Sequence, residues 1–335
     1  MKNKFRALVV READGKFLKQ IEMIDEIGLR FYGDKEVVET IIEVEYSGLN
    51  YKDALSASGN KGITKKYPHI PGIDLAGKIV ATQSPKFKIG DEVIVTGYDM
   101  GMNHYGGFCE YATSPDNWIV PRPQGLTLKE AMVYGTSGFT AALGVLNIVE
   151  HGITPESGKI LVTGATGAVG SMAVSILSKL GYEVAASTGK ESEADYLKSL
   201  GASEIIDRNT LVDVPQKGLF SSRWAAAFDT VGGPSLSYIL KCIAPSGIVT
   251  NCGMITSTKL ETSIMPFIIR GVKLSGIAAS ATLMPKRLKV WEKIAGEYNI
   301  HPGEDFYDVV PLEQLPEKID LMLAGKLHRK VVVKL

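Results

Sequence analysis

A chain of 335 residues exceeds one ordinary domain, so two hydrophobic cores are the starting expectation. Its 45% hydrophobic and 22% charged residues are those of a globular enzyme. Lysine plus arginine number 37 and aspartate plus glutamate 37, a balance that predicts neither a nucleic-acid partner nor a membrane surface.

The opening residues run directly into a strand-like stretch at 7–10, with no apolar core or small-residue cleavage site of a signal peptide. No apolar run approaches the roughly 18 residues of a membrane span. Three scattered cysteines, Cys109, Cys242 and Cys252, read as buried thiols of a reducing cytoplasm. Up to about residue 123 the chain is rich in short strands, at 37–47, 75–81 and 92–96. Gly33-Asp34, Ser58-Gly59-Asn60 and Pro85 punctuate them, giving a compact, barrel-like, mostly β domain.

Around residues 119–125 two prolines and a glycine mark a boundary, and a helical pattern opens at 126–132 with Thr127 as N-cap. From there to about residue 274 strand and helix alternate. A strand at 160–162 leads into Gly164, Gly167 and Gly170, and Ala173, Val174, Leu177 and Leu180 then recur at helical spacing. Further strands are expected at 184–187, 204–206, 225–229 and 247–251, with a helix at 193–200 stopped by Gly201. That alternation predicts a doubly wound α/β domain. The tail returns to mixed structure, with a helix at about 286–298 and a last strand at 330–334. The domains are thus 1–125, 126–274, and 275–335 returning to the first.

Strand, glycine turn and helix in that order bring a helix N-terminus up to a pyrophosphate. Thr166, Gly167, Ala168 and Val169 lie in the turn whose amides face it, and Cys252, Gly253 and Met254 end the fifth strand, at the edge that holds the nicotinamide half. NAD sites usually end the second strand on a carboxylate, which binds the ribose 2′-hydroxyl. Here that strand ends in Ser187, Thr188, Gly189 and Lys190, and Arg208, just past the third strand, is placed to close over either the phosphate or the adenine. Those donors suit a 2′-phosphate, so NADPH is the expected cofactor.

Several stretches together resemble the medium-chain dehydrogenase/reductase superfamily, in its zinc-free quinone oxidoreductase-like branch and the YhdH/YhfP group that includes acryloyl-CoA reductases. They are Gly48-Leu-Asn-Tyr-Lys-Asp-Ala-Leu55, Ile70-Pro-Gly-Ile-Asp-Leu-Ala-Gly77, Asn103-His-Tyr-Gly-Gly-Phe-Cys-Glu-Tyr-Ala112 and Gly135-Thr-Ser-Gly-Phe-Thr-Ala141. Val162-Thr-Gly-Ala-Thr-Gly-Ala-Val-Gly170, Tyr196-Leu-Lys-Ser-Leu-Gly-Ala202, Phe228-Asp-Thr-Val-Gly-Gly233 and Met265-Pro-Phe-Ile-Ile-Arg270 complete the set. The resemblance implies an α/β chain built of a GroES-like β-barrel domain with an inserted Rossmann domain, a cleft between them, and a homodimer. It places Tyr51 and Thr136 beside the nicotinamide and Met254 and Ile268 at the cofactor. Departures are small: Lys190 stands where many members carry arginine, and Tyr105 replaces a tryptophan.

A zinc site needs Cys, His or carboxylate ligands from at least three places. Zinc alcohol dehydrogenases of this superfamily carry a cysteine where this chain has Leu49-Asn50, and a His-Glu pair where it reads Gly72-Ile-Asp74. Asp53 and His69 remain as isolated candidates, so no metal is expected. Hydride addition to an activated alkene needs no Lewis acid, because the charge is delocalised into an enolate. The expected activity is therefore NADPH-dependent reduction of an enoyl thioester or enone. A quinone oxidoreductase and a non-catalytic NADPH-binding sensor are the alternatives. Tyr51 is the expected hydrogen-bond donor. Asp53 either orients Tyr51 or Lys52, or caps the following helix. Asn50 offers an amide to backbone or ribose. His104 is read as structural, and Lys65, Lys66 and His328 as solvated surface rather than a phosphate site.

Overall fold

The computed structural model describes residues 4–25, 39–212, 217–327 and 329–335, with the side chain of residue 39 left aside. The turn expected at 33–34, the start of the strand at 37–47 and His328 lie outside the described residues. The chain divides into two compact units. One holds Met1–Thr136, Ser280–Leu288 and His301–Leu335; the other holds Ser137–Ala279 and Lys289–Ile300.

The first unit opens on a hairpin of β1 (Lys4–Ala13) and β2 (Lys16–Asp25). Its turn is Asp14-Gly15, both at positive φ, the backbone that a tight hairpin between right-twisted strands requires. There follow β3 (Glu39–Gly48), helix α1 (Tyr51–Ala57), β4 (Asp74–Ala81), β5 (Glu92–Thr96), β6 (Tyr111–Pro115) and β7 (Val120–Pro121). Phe5, Leu8, Val10, Ile42, Leu75 and Phe108 are among the fully buried side chains of its core.

Helix α2 (Leu128–Glu150) starts in the first unit and continues in the second. Thr127 caps it as expected: its hydroxyl accepts the Glu130 N–H, and the Glu130 carboxylate accepts the Thr127 N–H. The sequence expectation of no membrane-length apolar run needs one correction here. An 18-residue window of this 23-residue helix reaches a mean hydropathy of 1.4, but 83% of it is buried inside the protein.

The second unit then alternates β8 (Ile160–Val162), α3 (Ala168–Lys179), β9 (Val184–Thr188), α4 (Ala194–Ser199), β10 (Ala202–Asp207), β11 (Trp224–Asp229), α5 (Gly233–Cys242), β12 (Ile243–Asn251), α6 (Met265–Arg270) and β13 (Lys273–Gly276). Its sheet has the order β10-β9-β8-β11-β12-β13, all parallel. Numbered within the unit that order is 3-2-1-4-5-6, the doubly wound arrangement in which ligands lie at the strands' carboxyl ends beside the switch from β8 to β11. Residues of β8, β9 and β11 are buried on both faces, which is why these strands read as unbroken apolar runs.

Helix α7 (Met284–Ala295) is shared between the units. The tail expected to return whole to the first domain is therefore divided, and packing explains the division. Arg287 donates to the Thr96 carbonyl at 2.7 Å and stacks 4.3 Å from the Tyr98 ring centre, inside the first unit. Trp291 packs on Phe139, with ring centroids 5.9 Å apart, inside the second. The chain ends in the first unit with β14 (Tyr307–Pro311), α8 (Leu315–Leu323) and β15 (Lys330–Lys334). These strands complete the order β14-β15-β3-β4-β5-β7, with β6 also pairing to β3.

Candidate functional site

Strand β8 is three residues long and wholly buried, and the chain leaves it through Thr163, Gly164, Ala165, Thr166 and Gly167 into α3. Gly164 has φ +57°, and a Cβ there would lie 2.2 Å from the Thr230 hydroxyl oxygen. A Cβ at Gly170 would lie 2.3 Å from the Gly164 carbonyl oxygen. The turn is thus as tight as its glycines permit. No side chain caps α3, whose N-cap is Gly167. Thr166, Gly167, Ala168 and Val169 are all at least partly exposed. A 12-residue helix with an uncapped, accessible N-terminus offers free N–H groups and a positive dipole end, a fit for a diphosphate.

At the end of β9 the Thr188 hydroxyl accepts the Lys190 N–H at 3.0 Å and turns the chain outward. Ser187 and Thr188 are buried, whereas Gly189, Lys190 and Arg208 are exposed. A Cβ at Gly189 would lie 2.3 Å from Arg208 Nε, so the guanidinium lies against this strand end. Asp207, the acid beside it, is occupied by the Asn209 N–H at 3.0 Å. Among the described residues neither Lys190 nor Arg208 has a carboxylate partner. Two unpaired cations at a strand end suit a phosphate dianion better than a ribose hydroxyl. The strand-end residues named from sequence therefore divide: Lys190 and Arg208 carry accessible charge, and Ser187 and Thr188 shape the backbone beneath.

Strand β12 delivers Cys252, Gly253 and Met254 at the same carboxyl edge. Cys252 is half-buried, and burial pushes its thiol up to about 12, assisted by the Asp229 carboxylate, so it is not a nucleophile at neutral pH. Met254 is 71% exposed and Ile268, on α6, 73% exposed. Both are apolar side chains that the second unit leaves largely uncovered.

In the first unit Tyr51 opens α1 and is 59% exposed, so it is not a barrel-core tyrosine. Beneath it lies a buried polar network. Asn50 Nδ2 donates to Asp74 Oδ2 at 2.8 Å and to the Gly48 carbonyl at 3.0 Å. Lys330 Nζ donates to Asn50 Oδ1 and to the Leu49 carbonyl, each at 3.1 Å. Helix α2 breaks at Gly135 (φ 48°, ψ −153°), which frees Thr136 to bind Asp74 with its N–H at 2.8 Å and its hydroxyl at 2.5 Å. A Cβ at Gly135 would sit 2.5 Å from Asp74 Oδ2. Thr136 thus hangs on a buried network in which the Asn50 amide bridges Asp74 and Lys330, and Tyr51 follows Asn50 directly in the chain.

Of the two roles open to Asp53, the structure selects the cap. Its carboxylate accepts the N–H groups of Asn50 (2.8 Å), Gly72 (3.1 Å) and Ile73 (2.8 Å), and no bond reaches Tyr51 or Lys52. It is a positioning group rather than a catalytic one, because its lone pairs are spent on backbone. Burial, then the nearby Asp74 charge, push it up to about 7, against the pull of these N–H groups and Lys330. His69 donates Nε2–H to the Gly101 carbonyl at 2.9 Å, and burial lowers its pKa to about 4. His104 donates Nδ1–H to the Tyr105 carbonyl at 2.7 Å, the structural role expected of it. Among the described residues no three His, Cys, Asp or Glu side chains converge as a metal site would require.

Sequence reasoning missed Asp74, Lys330, Asp229 and Asn251. Lys330 had a legible signal, since it leads directly into Val331-Val332-Val333 and is buried with them, whereas Lys334 at the other end of the strand is exposed. Asp74 was read only as a lost metal ligand.

Two family models match the chain: the alcohol dehydrogenase GroES-like domain over residues 36–124 and the zinc-binding dehydrogenase model over residues 168–294. The chain is 45% identical over 298 residues, 88% of its length and 90% of the relative's, to the putative quinone oxidoreductase YhfP of Bacillus subtilis. The structure of that protein with NAD bound superposes with a TM-score of 0.94, covering 100% of both chains at 41% identity. It is 40% identical over 329 residues, 98% of each chain, to the acrylyl-CoA reductase AcuI of Ruegeria pomeroyi. The yhdH oxidoreductase of Salmonella enterica, in complex with NADP, matches with a TM-score of 0.90 at 37% identity, covering 98% of this chain and 99% of that one. The open glycine turn, the two-unit architecture and these full-length similarities agree: the chain belongs to the medium-chain dehydrogenase/reductase superfamily, in its quinone oxidoreductase and acrylyl-CoA reductase group.

Proposed function

We propose that the protein is an NADPH-dependent reductase of activated carbon–carbon double bonds, with acryloyl-CoA-like enoyl thioesters and enones as its substrates. The observation that carries this reading is the pair of cations, Lys190 and Arg208, without a carboxylate partner among the described residues, at the strand end next to an uncapped helix N-terminus. The full-length similarity to an acrylyl-CoA reductase supports the substrate class.

When bound, the dihydronicotinamide supplies a hydride to the β-carbon of the alkene. The chain's own part is electrostatic and geometric. The turn from Gly164 to Val169 binds the diphosphate, Lys190 and Arg208 neutralise the 2′-phosphate, and Gly253, Met254 and Ile268 border the nicotinamide half. The Tyr51 phenol donates to the carbonyl oxygen of the substrate as it takes on enolate charge, and a proton then enters at the α-carbon. Thr136, its hydroxyl proton committed to Asp74, presents its oxygen as an acceptor.

The same reading makes the protein a cytoplasmic homodimer. Exposed Ile255, Ile264 and Ile269 on the second unit, together with the sheet-edge strand β13, support self-association. Three free cysteines suit a reducing compartment. Light scattering on a sizing column tests the dimer. Steady-state rates with NADPH and NADH against acryloyl-CoA, a simple enone and a 1,4-quinone test the chemistry. Fastest turnover of acryloyl-CoA or the enone with NADPH is expected. Turnover of the quinone alone would replace this reading with quinone reduction.

A further inference from the structure

Asp229 is fully buried at the carboxyl end of β11. It accepts the Thr163 hydroxyl at 2.6 Å, the Gly232 N–H at 2.8 Å, the Val231 N–H at 3.4 Å and Asn251 Nδ2 at 2.7 Å. Every one of these donors is neutral. The proposed chemistry makes no direct use of this carboxylate, and among the described residues no cation bonds it, so these neutral donors alone satisfy it. Its partners define its role.

On one side Thr163 is the last residue before the phosphate turn. Its hydroxyl also accepts the Thr230 N–H at 3.0 Å, and the Thr230 hydroxyl returns a bond to the Thr163 carbonyl at 2.8 Å. On the other side Asn251 Nδ2 donates a second bond, to the Gly253 carbonyl at 3.1 Å. The Gly253 turn lies directly on the 230–232 backbone: a Cβ at Gly253 would be 1.8 Å from the Thr230 carbonyl oxygen. The Ile255 N–H closes the contact on the Val231 carbonyl at 2.9 Å. One carboxylate therefore ties the end of β8, the loop after β11 and the end of β12 into a single knot.

We infer that Asp229 and Asn251 are positioning residues that set the spacing between the backbone holding the cofactor's diphosphate and the Gly253–Met254 turn bordering its nicotinamide half. Asn251 adds a side-chain bond to the backbone bonds that hold this turn, its amide joining the Asp229 carboxylate to the Gly253 carbonyl. This inference rests on the cofactor assignment made above. It predicts a loss confined to one end of the ligand. Asn251→Ala weakens NADPH binding about tenfold, the effect of losing a hydrogen bond to a buried charge, and leaves 2′,5′-ADP binding within twofold of wild type. The fluorescence gain of NADPH on binding, which reports the nicotinamide environment, falls in parallel. If Asn251→Ala does not accumulate as folded protein, Asn251→Ser, whose single O–H serves Asp229 but not Gly253 as well, is titrated the same way.

Titration calorimetry with NADPH and with 2′,5′-ADP on the full chain decides the matter. Selective loss of NADPH affinity supports the inference. Equal loss of both ligands would make Asn251 a general brace of the unit, and loss of neither would make the knot irrelevant to binding; either outcome overturns it. Failure of the wild-type chain to bind 2′,5′-ADP at all would instead remove the cofactor assignment, and the inference with it.

Discussion

Tyr51 and the four buried residues behind it, Asn50, Asp53, Asp74 and Lys330, are where single side chains decide most. Tyr51→Phe removes the proposed donor and little packing, since the ring stays exposed. Its kcat with acryloyl-CoA is expected to fall about 100-fold or more with NADPH affinity unchanged, measured by steady-state kinetics and fluorescence titration. Lys330→Met leaves Asn50 Oδ1 and the Leu49 carbonyl without their buried donor, and a loss of about 1–3 kcal/mol in urea denaturation is expected. Asp53 adds a pH dependence whose sign is fixed. Its carboxyl titrates near 3.8 when unfolded and about 7 when folded, so in that window the folded chain holds a proton that the unfolded chain has lost. Its contribution is full below about pH 4 and is lost as pH rises through about 7. Relative to Asp53→Asn, which keeps the shape but cannot titrate, the wild-type chain should lose a few kcal/mol of stability between pH 4 and pH 8. A constant difference between the two across that range would refute the assignment.

At the level of elements, each candidate function sits at a place where a strand or helix is made to stop. Helix α2 is interrupted by a left-handed glycine so that Thr136 can face Asp74. Gly135→Ala forces a side chain into φ 48° and into the Asp74 carboxylate, so a drop of several degrees in the thermal midpoint is expected. Strand β9 stops at Thr188 and hands over to an exposed lysine beside Arg208. Replacing Lys190 and Arg208 together by alanine should weaken NADPH by about 100-fold and leave NADH unchanged, because only the 2′-phosphate meets these cations. Equal loss for both cofactors would mean that the two residues serve the adenine or the fold instead.

Across the whole molecule, the parts legible in the sequence are those written in local periodicity. The parallel strands are buried on both faces and so read as apolar runs; β5 and β15 stand at their expected limits. The glycine turn was legible because its geometry excludes other residues. Strands β2, β6 and β14 were not separately legible: β2 and β14 are exposed or half-buried along most of their length, and β6, though buried, reads Tyr111-Ala-Thr-Ser-Pro115, so none shows a clear run of apolar residues. The split of residues 275–335 between units depends on where Arg287 and Trp291 find partners, which no local pattern encodes. The same holds for the Asp74–Asn50–Lys330 network, whose ends are separated by most of the chain.

The central claim is that this chain directs a hydride from NADPH to the β-carbon of a polarised alkene. It is tested most directly by mass spectrometry and NMR of the product formed from acryloyl-CoA and NADPH deuterated on both faces of C4, in ordinary water. The account predicts propionyl-CoA with one deuterium at the β-carbon and hydrogen from solvent at the α-carbon. Deuterium at the α-carbon, or bound NADPH that is never consumed, would contradict it.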